Sequence, residues 1–130
     1  PARADMLALK ARIALRTYSK EDTINAIKLF HEAFLVNPKN PKDKILTILN
    51  YGNALRLGKK YQECEKLLNT ADKLLSNNKS ISEWQNLYSD LQLYLGYLYR
   101  DKARSEKNTD NSKSKVLVDK ASACYVNCLN

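Results

Sequence analysis

One spacing recurs along the chain: a small residue, a larger one four positions on, and another small one three after that. It falls at Ala26, Phe30 and Ala33, at Cys64, Leu68 and Ala71, and at Ala121, Tyr125 and Cys128. Steps of four and three return to the same side of a helix, so each triad predicts a ridge on one helical face. Small residues let a neighbouring backbone come close, and the larger side chain fills the gap between them. Three such ridges commit the chain to packing helix against helix.

Composition points the same way. With 3 Gly and 3 Pro in 130 residues, there are too few turn residues for a many-stranded sandwich or barrel. A hydrophobic share of 44% and a charged share of 28% fit one ordinary globular domain and argue against wholesale disorder. No apolar run approaches the roughly 20 residues of a membrane span, and no charged-then-apolar leader opens the chain. Three cysteines cannot all pair within one chain, so a reducing, cytoplasmic setting is expected. Pro1 at the start and an apolar segment running up to Asn130 are read as the marks of a fragment of a larger protein.

Apolar periodicity predicts six helices. The first covers residues 3–18, with Met6, Leu7, Leu9, Ile13 and Ala14 on one side. Ser19 opens the second, which runs to Val36 and must stop before Pro38. After a connector over 37–43, the third spans Ile45 to Leu57 and is ended by Gly58 as a left-handed cap. The fourth covers Tyr61 to Leu75. The fifth opens at Ser82 and carries Trp84, Leu87, Tyr88, Leu91, Leu95, Leu98 and Tyr99, before a polar stretch over 102–114 read as a loop or solvated helix end. The sixth is Val116 to Leu129.

Paired in order, these helices resemble tetratricopeptide repeats, whose 34-residue units are each two antiparallel helices, A and B. The triads stand in the B helices, Pro38 closes the first unit, and Tyr51, Gly52, Leu55 and Leu95, Gly96, Tyr99 stand in the A helices of the second and third. Three units, at about 3–38, 45–76 and 81–129, cover nearly the whole chain as a single domain. The pattern departs from the family where Ala14 and Thr17 replace the first unit's Gly and aromatic, and where Ser76 replaces a proline. About 4 extra residues separate units one and two, and about 13 polar ones lie inside unit three. The resemblance implies an all-α, right-handed α-solenoid of three helix pairs. A plain helical bundle or another α-solenoid would show the same small-large alternation.

The resemblance also implies a function: a non-enzymatic protein-protein interaction module, an adaptor or scaffold holding a partner's peptide in a concave groove lined by the A helices. Carried over by register, the groove residues are Arg12 and Leu15, then Leu49, Asn50, Asn53 and Arg56, then Tyr94, Tyr97 and Arg100. Asn holds a peptide backbone at donor and acceptor, Tyr adds rigid apolar area, and Arg matches carboxylates, so the charge of an acidic partner would complement the groove. Family members that clamp chaperone C-terminal carboxylates are not matched: at their positions stand Ala11, Leu15, Asn50, Asp90 and Tyr94, and only Asn50 fits.

Other chemistry is sparse. No phosphate loop, metalloprotease motif or nucleophile elbow is present, which argues against an enzyme and a cofactor. Cys124 and Cys128 lie one turn apart, but the one histidine, His31, is on another helix, so packing thiols are expected and no metal site. The formal charge of +8 is carried mostly by residues 1–80. It supports an alternative, an RNA- or anion-binding helical repeat using Lys39, Lys42, Lys44, Lys59 and Lys60 along one loop edge. At the end of the array, Val118, Tyr125 and Leu129 are expected to form an apolar face covered by the rest of a parent protein or by a second copy.

Overall fold

A computed structural model describes residues 6, 9–10, 19–36, 40–77, 84–106 and 111–129. Among them all regular structure is helical, in five helices: α1 (Lys20–Val36), α2 (Pro41–Leu57), α3 (Tyr61–Ser76), α4 (Gln85–Glu106) and α5 (Asn111–Leu129). The helix expected over 3–18 falls mostly outside the described residues. Of its apolar set, Met6 and Leu9 are 59% and 51% exposed, so neither is turned into a core. The chain divides into two compact units, 1–71 and 72–130.

In the first unit, Ser19 caps α1: its hydroxyl accepts the Asp22 N–H at 3.1 Å, while the Thr23 hydroxyl donates to the Ser19 carbonyl at 2.9 Å. Ala26, Phe30 and Ala33 are fully buried, with Ala54 of α2 in the same cluster. α2 begins four residues before the expected Ile45. Asn40 accepts the Lys42 N–H at 2.9 Å through its side chain, and Pro41, with its fixed φ and no N–H to satisfy, suits the first helical position. Phe34 meets Tyr51 while Ile27 faces Gly58, so α1 and α2 run antiparallel.

The end of α2 corrects the expected cap. Gly58 has φ −81°, and the left-handed residue is Lys59 at φ 62°. The Lys60 N–H reaches the Leu55 carbonyl at 2.8 Å and the Lys59 N–H reaches that of Arg56 at 2.9 Å, a Schellman closure with lysine at its left-handed position. A Cβ at 58 would lie 2.8 Å from Ile27 Cδ1, the end of a side chain that would have to shift to admit it. Beyond this turn Cys64, Leu68 and Ala71 of α3 are fully buried, and a Cβ on Gly52 would lie 2.9 Å from Leu68 Cδ2.

The second unit is the pair α4 and α5. Leu87, Leu91, Leu95 and Leu98 bury one side of α4, and Ala121 and Cys124 bury the facing side of α5. A Cβ on Gly96 would lie 2.4 Å from Tyr125 Cε1, so the missing side chain is what admits the ring. Further along, the Ser114 hydroxyl donates to the Ala103 carbonyl at 3.1 Å, which fixes an antiparallel register. Most of the stretch expected as a loop or solvated helix end is helix: 102–106 complete α4 and 111–114 open α5. Its polar residues solvate the outer faces, while Ala103, 4% exposed, keeps the inner face apolar.

Two substitutions probe these contacts. Lys59→Gly should raise stability by about 1 kcal/mol in chemical denaturation, because a non-glycine residue is strained in the left-handed region. Gly96→Ala should lower it by about 1–3 kcal/mol through overpacking, and in a Tyr125→Ala background the same change should become neutral or favourable.

Candidate functional site

The two glycines set a common register. Asn50 and Tyr94 stand two residues before Gly52 and Gly96, Asn53 and Tyr97 one after, and Arg56 and Arg100 four after. All six side chains are half-buried. In α2, Arg56 Nη2 donates to Asn53 Oδ1 at 2.9 Å. In α4, the Arg100 guanidinium lies 4.8 Å over the Tyr97 ring, its Nε donates to Asp101 Oδ1 at 3.2 Å, and its Nη2 forms an ion pair with the same oxygen at 3.1 Å. Tyr97 also lies 6.5 Å from Tyr94 and 6.1 Å from Tyr125 between ring centroids. Each arginine is thus held by the side chain three positions before it.

Of the expected groove residues, Leu49 is placed differently: at 1% exposure it belongs to the core, because its position on α2 faces inward with Ile45 and Ile48. Arg12 and Leu15 lie outside the described residues. Within the first unit Asn53 and Arg56 come together, and within the second Tyr94, Tyr97 and Arg100 do. Asp101 was not anticipated. Adjacent residues point to different sides of a helix, so no spacing rule pairs it with Arg100.

A second cluster that spacing did not single out lies in the first unit. The Tyr51 hydroxyl is 3.0 Å from His31 Nδ1, the two rings meet edge to face at 5.8 Å, and Phe34 lies 6.1 Å from Tyr51. Burial, with a smaller contribution from the Glu63 carboxylate, pushes the Tyr51 phenol above its ordinary pKa. In the second unit burial, and then Asp72, push the Cys124 thiol up, which disfavours the thiolate needed for metal binding or nucleophilic attack. Among the described residues no group of three or more His, Cys, Asp or Glu is placed to hold a metal ion.

Among the described residues the lysines of the expected basic edge fall into two groups. Lys42 and Lys44 lie in the first turn of α2, whereas Lys59 and Lys60 follow its last; at 1.5 Å per residue these pairs are about 24 Å apart along the axis. Lys39 lies outside the described residues. Tyr125, expected on an apolar end face, instead packs against Gly96 and Tyr97 inside the α4–α5 pair, while Val118 is 49% exposed. The Leu129 side chain is outside the described set. No described helix is long and apolar enough to cross a membrane. Comparison with family models, with curated proteins and with solved structures found no match to this chain.

The raised Tyr51 pKa has a pH consequence. The unfolded chain ionises this phenol from about pH 10, before the folded one does, so stability is kept below that pH and falls as pH rises through it. In denaturation series from about pH 9 upward, Tyr51→Phe should lose less stability than the wild type.

Proposed function

We propose that the chain is a tetratricopeptide-like repeat, a right-handed α-solenoid of three helix pairs, acting as a non-enzymatic interaction module that binds a peptide segment of a partner protein on the outer faces of α2 and α4. Support for the repeat comes from the glycines. Gly52 and Gly96 each make room for the middle residue of a triad, Leu68 or Tyr125. Of the 13 additional residues between Gly96 and Tyr125, 12 are the lengthening of α4 and α5.

The observation that carries the binding reading is the doubled placement of arginine. Arg56 and Arg100 occupy the same register position, and each is braced by its neighbour three residues back. A braced guanidinium loses little side-chain freedom when it meets an acceptor, so binding costs less than it would for a freely rotating arginine. Lys42 and Lys44 stand at one end of α2 and Lys59 and Lys60 at the other, so among the described residues the lysines of the nucleic-acid alternative do not form one cluster.

A pulldown comparing the wild type with Arg56→Glu, Arg100→Glu, from lysate with and without nuclease, tests the reading. Proteins retained by the wild type should fall at least about tenfold with the folded double variant. RNA recovered equally by both, with no protein enriched, would reject the module in favour of a basic-surface binder.

A further inference from the structure

We propose that Asp90 and Tyr94 of α4 bind an arginine side chain from a basic segment of a partner protein, its guanidinium lying over the Tyr94 ring and pairing with the Asp90 carboxylate. The inference rests on the interaction-module reading and names the residue that one of its two faces selects.

The first argument is a cation that the same face already holds. The Arg100 guanidinium lies 4.8 Å over the Tyr97 ring, and its Nη2 is 3.1 Å from Asp101 Oδ1. A ring and a carboxylate four residues apart thus hold one guanidinium together. Asp90 and Tyr94 are the same two groups at the same separation. Asp90, Tyr94, Tyr97 and Asp101 follow at steps of four, three and four, which keeps all of them on one stripe of the helix. The two carboxylates differ in what they meet: Asp101 has its arginine, whereas Asp90 forms no hydrogen bond or ion pair with any described residue. Asp101 offsets Arg100, so the stripe with its own arginine sets two carboxylates against one cation.

The second argument is the state of the Asp90 carboxylate. Its side chain is exposed, yet partial burial pushes its carboxyl above the ordinary range, and no cation draws it back. Part of its water is already displaced in the unbound protein, so an arriving cation has less of it to remove. Arginine suits the pair better than lysine, because a planar, weakly hydrated guanidinium stacks on a ring and donates to a carboxylate at once. The third argument is the background. The chain carries a formal charge of +8, so its overall field repels a basic segment, and one is held only where local carboxylates and rings outweigh that field. In α2 the positions equivalent to Asp90 and Tyr94 are Leu46 and Asn50, so the inference concerns α4 alone.

Calorimetric titration of the full chain tests this with three short peptides of equal length, in which glycine alternates with arginine, lysine or serine. The arginine peptide should bind about threefold or more tighter than the lysine peptide, and both tighter than the serine peptide. Asp90→Asn should weaken the arginine peptide about fivefold or more, while Asp119→Asn, which removes an exposed carboxylate of α5, should change it by less than about twofold. Tyr94→Leu should weaken it about threefold and Tyr94→Phe, which keeps the ring, by less than about twofold, all variants being compared at equal helix content by circular dichroism. Equal losses from Asp90→Asn and Asp119→Asn, or equal binding of the arginine and lysine peptides, would overturn the arginine site and leave the module reading standing. No binding of the arginine peptide would overturn the site alone if the Arg56→Glu, Arg100→Glu variant still loses its captured proteins, and would overturn both readings if it does not.

Discussion

The approach of Tyr125 to the bare backbone at Gly96 fixes much of what the second unit displays. With the ring seated there, α4 and α5 are locked in rotation and in axial register, since any other alignment would set a side chain where only hydrogen fits. The Tyr125 edge then supports Tyr97, and Tyr97 in turn lies beneath the Arg100 guanidinium. A packing contact in the core thus orders three side chains out to the surface. In the first unit, Gly52 against Leu68 is the corresponding contact, and an amide of Asn53 rather than an aromatic ring holds the arginine.

The helices were legible because their signals are local and agree. Apolar residues fall at helical intervals, Ser19 supplies a capping hydroxyl, and the triads at Ala26, Cys64 and neighbouring positions are buried as their spacing implies. What escaped was decided by competing local rules. Prolines in the 37–43 connector read as breakers, yet Pro41 starts α2 because a first-turn residue has no hydrogen bond to lose. Gly58 read as a residue chosen for its φ, yet its φ of −81° is an ordinary one and the left-handed residue is Lys59. The polar run over 102–114 read as a loop or a solvated helix end, since polarity alone does not distinguish the two, and only Ala103 hinted at an inner face.

The candidate site was less legible than the fold. Position relative to the glycines indicated which residues of α2 and α4 reach the surface, and it misplaced Leu49 because a one-residue difference in register is enough to turn a side chain inward. Asp101 shows the limit of such reasoning. It is a sequence neighbour of Arg100, not a helical one, and the pair forms only because the long arginine side chain bends back to it. Its effect is chemical: a carboxylate stands against the guanidinium that register alone marks as the cation of this face.

The lengthening of both α4 and α5 has a mechanical consequence. The two arms leave the glycine contact together and are tied again at Ser114 and Ala103, so the hairpin is anchored in depth at one end and held by a hydrogen bond further out. Such a member unzips from its tip. Loss of the outer turns leaves the Gly96 joint intact, and with it the rings and guanidinium stacked upon it. The outer arms can therefore drift in sequence or in length, by whole helical turns, without reaching the surface that Tyr94, Tyr97 and Arg100 present.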